Sequence, residues 1–262
     1  MDLDALFHRI DYTEGGTDTE RLKRLHRAFA LHVPYENLDA YNHEPISLKP
    51  EDLFDKIVTR RRGGYCYEMN GFLCAVLREM GFSAYGVATR LSRGGEPFGA
   101  PTHRLNIAEA DGVKYICDVG LGMECFVEPL RLELGTVQRI RGMAYRVVPS
   151  ADPCAEYTVE VLREAGFQPC MGFIDRPARE EDFTVLNYYT SQYPHSPFRM
   201  MFILNRFTET GRFTLFNLSL TCRDGEITES RTVKWGDLPR VLRECFGLDC
   251  LPNRKPEPPR MP

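Results

Sequence analysis

Cys66, His103 and Asp118 are the residues of this sequence whose chemical types fit nucleophilic catalysis. A histidine beside a cysteine takes the thiol proton and holds the sulfur as a thiolate, which attacks carbonyl carbon. A carboxylate on the far ring nitrogen fixes the histidine tautomer and stabilises the imidazolium. Such a group can cleave peptides, cross-link glutamines or carry an acyl group between two molecules. All three reactions pass through a thioester on the cysteine, so the residue types predict the nucleophile and leave the acceptor open.

The segment around Cys66 places this thiol at the start of a helix. Gly63 and Gly64 precede it and free the backbone for a tight turn. Apolar residues then recur with helical spacing over 69–80, and Gly81 follows where a helix commonly ends. The unpaired N–H groups of a helix N-terminus favour a thiolate. The alternative is a small buried cysteine in front of a core helix, because free cysteines are among the most buried residues.

The dipeptide Asp111-Gly112 predicts a hairpin that brings His103 and Asp118 together. Asp-Gly is a strong signal for a two-residue hairpin loop, and this turn would pair Glu109 with Lys114, two opposite charges. In that register, His103 and Asp118 are diagonal neighbours on one otherwise apolar face. Ionisable groups on such a face are costly unless they satisfy each other, so we predict a contact between them. A register slip of one residue would break this contact.

The contact between Cys66 and His103 is inferred only from the need of a nucleophilic thiol for a base. Five other histidines are weaker candidates for that base. Those in or beside the N-terminal helices are expected to pack or to face solvent: His8, His26 and His32. His43 lies in a polar loop, and no local carboxylate is placed to orient His195.

The composition fits a globular protein and disfavours several other classes. A chain of 262 residues with 43% hydrophobic residues can bury a sizeable core. Its net charge of -4 gives no attraction to nucleic acid or to an anionic membrane surface. We expect a cytoplasmic protein, because the acidic N-terminus has no signal region and no apolar run reaches membrane-spanning length. Nine cysteines without C-x-x-C spacing predict neither a disulfide framework nor a metal site.

Three successive patterns along the chain predict an α+β fold in three parts. Residues 1–82 read as a helical bundle, in which Thr17–Glu20 has capping-box spacing and Pro50 starts a later helix. Residues 83–180 alternate like antiparallel strands and are expected to form a small barrel or sandwich. Residues 181–262 contain a short helix, three strands and a last helix.

The chain resembles the arylamine N-acetyltransferase family at motifs that occur in the family's order. These motifs are Val33-Pro34-Tyr35-Glu36-Asn37-Leu38, Arg62-Gly63-Gly64-Tyr65-Cys66-Tyr67-Glu68-Met69-Asn70, Thr102-His103, Asp118-Val119-Gly120-Leu121-Gly122 and Ser196-Pro197-Phe198. The resemblance implies a helical bundle, a β-barrel and an α/β lid around a papain-like catalytic core. It also implies a ping-pong transfer of acetyl from acetyl-CoA, through a thioester on the cysteine, to an aromatic amine, a hydrazine or an arylhydroxylamine.

The same resemblance implies further site residues. Contacts with the acceptor are expected from Tyr35 and Phe198. Contacts with the pantetheine arm of CoA are expected from these residues: Thr102, Leu121, Gly122 and Phe198. The alternative for the two aromatics is a place in the core, since aromatic burial is common. The family usually has phenylalanine where Tyr35 and Leu121 stand, which leaves the acceptor preference of this chain open.

Other functions fit parts of the sequence. An amide synthase of the same family keeps the triad but takes a longer, carrier-bound acyl chain, and no residue excludes it. A cysteine peptidase or a transglutaminase would need no CoA. A binding protein is disfavoured because it has no chemical need for all three of Cys66, His103 and Asp118. The sequence indicates neither the acceptor, nor the acyl chain length, nor the oligomeric state.

Overall fold

Helices dominate the first part of the chain, as the spacing of its apolar residues predicts. The computed structural model describes residues 1–92, 96–122 and 126–256. The helices of the N-terminal part are α1 (Leu3–Ile10), α2 (Asp18–His32), α3 (Leu38–Tyr41), α4 (Pro50–Phe54) and α5 (Cys66–Glu79). Helix α4 continues directly into one π-helical turn, Asp55–Thr59.

Local capping explains where these helices begin and end. Thr17 Oγ1 accepts the N–H of Glu20, and Glu20 Oε2 accepts the N–H of Thr17 at 2.9 Å. The predicted capping box at the start of α2 is therefore confirmed. At the other end of the bundle, Gly81 follows α5 with a left-handed φ of 90°, a conformation that favours glycine.

Eight antiparallel strands form a nearly closed barrel. They are β2 (Ser83–Leu91), β3 (His103–Ala110), β4 (Val113–Cys117), β5 (Leu130–Arg131), β6 (Gln138–Ile140), β7 (Met143–Pro149), β8 (Tyr157–Arg163) and β9 (Gly166–Phe173). Their order in the sheet is β5-β4-β3-β2-β9-β8-β7-β6. The two edge strands meet because the Gln138 side chain bonds the backbone N–H and C=O of Arg131 at 2.7 and 2.9 Å.

The β3–β4 hairpin has the predicted register. Glu109 pairs with Lys114 across the ladder. Asp111 and Gly112 have φ values of 49° and 74°, and positive φ at both positions is what a tight two-residue turn of type I′ requires. The last paired residue of β4 is Cys117, so the chain leaves the sheet just before Asp118.

A second sheet of five strands forms the C-terminal part. Its order is β1 (Tyr35–Glu36), β10 (Ile203–Phe207), β11 (Gly211–Phe216), β12 (Ser219–Asp224) and β13 (Ile227–Thr232). The accompanying helices are α6 (Glu180–Gln192), α7 (Pro197–Met200) and α8 (Leu238–Val241). The sequence predicts a turn over 33–38, whereas the structure has strand β1 there. Two residues are too few to show alternation, and their pairing partner, β10, is remote in sequence.

The apolar cores connect these parts. The main core is shared by α1, α2, α5 and the barrel strands, and a second core lies between the C-terminal sheet and α8. A smaller cluster surrounds Cys66 and includes Tyr65, Tyr67 and Phe183. These observations give an α+β fold. Among the residues that the structure describes, no helix is both long and apolar enough to cross a membrane.

Candidate active site

Cys66 is the first residue of α5, at the helix N-terminus that the sequence predicts. The residue is 4% exposed. Glu68 caps the first turn, because its Oε2 accepts the N–H of Tyr65 at 3.1 Å. The remaining free N–H groups and the positive dipole end of the helix therefore adjoin the thiol.

Gly63 is required by a close approach of two backbone segments. A Cβ atom on Gly63 would overlap the carbonyl oxygen of Pro34, so any other residue would push the segments apart. The sequence predicts a tight turn here, yet neither Gly63 nor Gly64 has the left-handed φ that favours glycine. The approach seats the Cys66 segment against β1, where the N–H of Glu36 donates to the Gly64 carbonyl at 2.9 Å.

His103 and Asp118 make the contact that the hairpin register predicts. His103 Nε2 lies 2.6 Å from Asp118 Oδ2, and the two residues are 2% and 0% exposed. Cys66 lies close enough to the imidazole to help raise the pKa of His103. The imidazole therefore adjoins both the thiol and the carboxylate.

The electrostatics of this group favour a charged imidazole. Burial by itself lowers the pKa of His103, but the charge and hydrogen bond of Asp118, together with the adjoining Cys66, raise it to about 10. Burial opposes the charge of Asp118, but the charge and hydrogen bond of His103, together with Asn70, hold its pKa below the ordinary value. An imidazolium beside Cys66 stabilises a thiolate, so the site is arranged for a nucleophilic sulfur.

Asn70 positions Asp118 from the same helix that carries Cys66. Its Nδ2 donates to Asp118 Oδ1 at 2.8 Å, and its Oδ1 accepts the N–H of Val119 at 2.9 Å. The sequence indicates no role for Asn70, because its partner Asp118 lies 48 residues further along the chain. The available signal is its place four residues after Cys66, on the same helix face.

A buried charge network lies under the start of α5. Lys56 Nζ is 2.5 Å from Glu68 Oε1 and 2.7 Å from Asp39 Oδ2. Arg62 bonds Glu36 at 2.7 Å and the other oxygen of Asp39 at 2.6 Å. The network therefore connects the capped start of α5, where Cys66 lies, to β1, α3 and the turn after α4.

Gly120 lets the turn after Asp118 approach α5. A Cβ atom on Gly120 would lie 2.7 Å from the Cα of Cys66 and 2.9 Å from Nδ2 of Asn70. Its N–H donates to Asp118 Oδ1 at 2.8 Å. The absence of a side chain at Gly120 therefore lets the segment after Asp118 pack directly against the backbone of Cys66.

Gly120→Ala is expected to slow alkylation of Cys66 by iodoacetamide about 10- to 100-fold, because the added methyl must displace the Cys66 backbone. The rate is measured with the folded protein, together with the melting temperature. Gly236→Ala is the matched control, since a Cβ atom there meets nothing within 4 Å. An unchanged rate in Gly120→Ala would contradict the steric argument.

Two of the expected pocket residues lie in the apolar cluster around Cys66. These are Tyr35 and Phe198, both partly buried. The Phe198 ring meets that of Tyr65 edge-on, with centroids 5.6 Å apart. Asn37 holds Phe198 in place, since its Nδ2 donates to the Phe198 carbonyl at 3.0 Å. The structure thus places both aromatics against the cluster that contains Cys66.

The other three expected pocket residues lie on the segments that carry the imidazole and the carboxylate. Thr102 is partly exposed and directly precedes His103. Gly122 has a φ of 67° and adjoins the Tyr35 ring, which a Cβ atom would meet at 3.9 Å. Leu121 is partly buried against the main core. Contacts of these residues with a ligand remain a prediction.

Metal ligands and disulfides are not found in the described part of the chain. Within 1–92, 96–122 and 126–256, no three or more His, Cys, Asp or Glu side chains are grouped to hold a metal ion. All eight cysteines in these ranges are free thiols. The ninth, Cys125, lies outside the described residues.

Comparison with known proteins places the chain in a family. A family model described as N-acetyltransferase matches residues 18–254. The arylamine N-acetyltransferase of Mycolicibacterium smegmatis is 35% identical, over 95% of this chain and 92% of the relative. This chain belongs to the arylamine N-acetyltransferase family. The arylamine N-acetyltransferase of Escherichia coli (strain K12) is 30% identical, over 94% of this chain and 88% of that protein.

Solved arylamine N-acetyltransferases share the fold over nearly the whole chain. The enzyme from Salmonella typhimurium superimposes with a TM-score of 0.89 at 27% identity, covering 98% of this chain and 94% of that one. The Mycobacterium marinum enzyme in complex with CoA gives a TM-score of 0.86 at 30% identity, covering 95% and 93%. The α+β fold class and the resemblance read from the motifs are both confirmed.

Proposed function

We propose that this chain is an acetyl-CoA-dependent arylamine N-acetyltransferase, an acyltransferase that carries the acetyl group on Cys66. The observation that carries the proposal is the buried grouping of Cys66, His103 and Asp118 in a member of this family. The donor is supported by the relative from Mycobacterium marinum that was solved in complex with CoA. The acceptor class is supported by relatives that are named arylamine N-acetyltransferases.

In the first half-reaction, the Cys66 thiolate attacks the carbonyl carbon of acetyl-CoA. Free backbone N–H groups at the start of α5 stabilise the negative charge on the carbonyl oxygen. The bond between this carbon and the CoA sulfur then breaks, and the proton held by His103 goes to the leaving thiolate. The products are acetyl-Cys66 and CoA, with a neutral His103.

In the second half-reaction, the amine nitrogen attacks the thioester carbon and the bond to Cys66 breaks. His103 accepts a proton from the attacking nitrogen, which restores the pair of thiolate and imidazolium. Asp118 keeps the imidazole in the required tautomer throughout, and Asn70 fixes the carboxylate. Tyr35 and Phe198 would offer aromatic surface to the ring of the amine.

Residues on either side of the imidazole complete the proposed pocket. Thr102 and Gly122 would line the path of the pantetheine arm, together with Leu121. Gly122 already adjoins Tyr35, so donor and acceptor would use one common entrance. This arrangement suits a ping-pong reaction, because CoA must leave before the amine can reach the thioester.

The experiment is intact-protein mass spectrometry after mixing with acetyl-CoA, followed by addition of an aromatic amine. We expect one acetyl adduct on the wild-type chain, discharged by the amine, and none on Cys66→Ser. Cys154→Ser is the matched control, since Cys154 is an exposed thiol outside the proposed triad and its loss should leave the adduct intact.

Two results would contradict the proposal. An adduct on Cys66→Ser that peptide mapping locates outside position 66 would place the acyl group on another residue. No adduct on the wild-type chain, with Cys66 still alkylated by iodoacetamide, would reject acetyl-CoA as the donor and favour a longer acyl thioester.

A further inference from the structure

His26 lies behind the carboxylate of the triad. It belongs to α2 and is 0% exposed. Its Nε2 accepts the backbone N–H of Asp118, with a distance of 3.0 Å between the two nitrogens. The ring is stacked on Phe126, with centroids 6.1 Å apart and planes 10° apart. The sequence predicts a packing or surface residue here, whereas the structure places this histidine one hydrogen bond from Asp118.

The backbone of Asp118 lies at a point where the sheet no longer supports it. Strand β4 ends at Cys117, whose ladder partner is Asn106. Asp118 itself is fully buried, so water cannot satisfy its N–H. His26 provides an acceptor for this group, and the acceptor comes from the helical bundle rather than from the barrel.

The protonation state of His26 allows its Nε2 to accept a hydrogen bond. Burial lowers the pKa of His26 to about 4, so the ring is neutral at neutral pH. The hydrogen bond from Asp118 requires a lone pair on Nε2, which places the ring proton on Nδ1. A charged imidazole would present N–H groups on both nitrogens and would repel the N–H of Asp118.

We propose that His26 is a positioning residue for the acyl transfer, holding the main chain of Asp118 so that its carboxylate orients His103. Two elements then locate this carboxylate from different directions. Asn70 on α5 holds its side chain, and His26 on α2 holds its backbone. This role for His26 rests on the proposed function, but the alkylation test of it does not require that function.

The mechanism acts through the direction of the imidazole. His103 must point one nitrogen at Asp118 and the other at Cys66, and a small displacement of reacting groups can lower a rate by two orders of magnitude. If the hydrogen bond between the Asp118 N–H and His26 is lost, the turn that follows Asp118 can shift. His103 would then hold the thiolate of Cys66 less well, without any change in the substrate pocket.

The test compares His26→Gln with His26→Met. The two side chains have similar length and volume, but only the glutamine can put an oxygen acceptor where Nε2 lies. The first readout is the rate of Cys66 alkylation by iodoacetamide as a function of pH. The second is the single-turnover acetylation of Cys66, and the third is the melting temperature.

We expect His26→Met to lower the alkylation rate at neutral pH by about 10- to 100-fold and to shift its pH profile. His26→Gln should keep the wild-type profile and stay within a few-fold of the wild-type rate. The KM for the amine should be unchanged in both. His32→Met is the matched control and should behave as wild type, because His32 lies on the same helix and its Nδ1 bonds the Ala28 carbonyl within that helix.

Equal rates and pH profiles in the Gln and Met variants would overturn the proposal, whatever the stability of the variants. Such a result would show that His26 contributes packing and not a hydrogen-bond acceptor. If His26→Met fails to fold, His26→Asn replaces it, since its shorter side chain withdraws the acceptor from Asp118. Alkylation needs no acyl donor. The inference can therefore fail while acetyl-CoA still acylates Cys66, or hold while another donor is found.

Discussion

Asp118→Asn is expected to lower the rate of Cys66 acetylation by about 10³- to 10⁴-fold while leaving the fold intact, by analogy with other triads. The carboxylate accepts from His103 Nε2 and so leaves the other ring nitrogen for the thiol. An asparagine of the same shape can turn its NH₂ group toward His103. The imidazole then carries its proton on the nitrogen that faces Cys66, and it can no longer accept the thiol proton.

The measurement is single-turnover acetylation followed by mass spectrometry, with alkylation by iodoacetamide as a donor-independent second readout. Asp175→Asn is the matched control, because Asp175 is an equally fixed carboxylate of the barrel region that pairs with Lys114 and Tyr85 instead. A rate for Asp118→Asn within tenfold of wild type would show that the carboxylate does not set the tautomer.

The same pair gives a pH dependence with a defined sign. The pKa of His103 is raised to about 10, so its contribution to stability is complete below pH 6.5 and is lost as the pH rises through about 10. The pKa of Asp118 is lowered from 3.8, so its contribution is complete above that pH and is lost on acidification below it. The melting temperature of the wild type should therefore exceed that of Asp118→Asn most between pH 3.8 and 6.5. The difference should shrink below pH 3.8 and as the pH rises toward about 10.

Lys56→Met is expected to destabilise the protein by about 3–5 kcal/mol, the usual cost of removing one partner from a buried ion pair. Lys56 is 4% exposed and contacts Glu68 and Asp39 at 2.5 and 2.7 Å. Burial opposes its charge, but the charges of Glu68, Glu36 and Asp39 outweigh burial and raise the pKa of Lys56. Without the ammonium, these carboxylates would face one another with Arg62 as their remaining cation in the network.

Urea denaturation measures this loss. Lys49→Met removes a lysine that is exposed and should change the free energy of unfolding by less than about 0.5 kcal/mol. Adding Glu68→Gln to Lys56→Met removes one of the unpaired charges, so the double variant should be more stable than Lys56→Met alone. A double variant that is less stable than Lys56→Met would mean that packing, not charge, governs this site.

The parts of the site that the sequence predicts are those set by local rules. The Asp111-Gly112 turn fixes the register of one hairpin, and that register brings the end of β4, just before Asp118, close to the start of β3 at His103. The helical spacing after Cys66 likewise predicts that this thiol lies at a helix start, as it does. Both conclusions depend only on the residue types within a short stretch around one turn or one helix start.

The parts that sequence reasoning misses depend on contacts between remote segments. His26 meets Asp118 across 92 residues, and Asn70 meets it across 48. No periodicity or turn signal reports such a separation, and both residues look like ordinary members of amphipathic helices. Strand β1 is not predicted for the same reason, because its partner strand β10 is remote in sequence.

Strand β1 and Asn37 also constrain the order in which the molecule can assemble. The side chain of Asn37 accepts the N–H of Ile203, a residue 166 positions later, and donates to the carbonyls of Phe198 and Met201. On the ribosome, these partners emerge long after the helices of the bundle. Contacts of such high sequence separation form slowly, so the Phe198 segment, a wall of the proposed pocket, is expected to reach its place after the helical bundle has formed. A nascent chain could therefore carry its nucleophile for some time before it has a place to bind an amine.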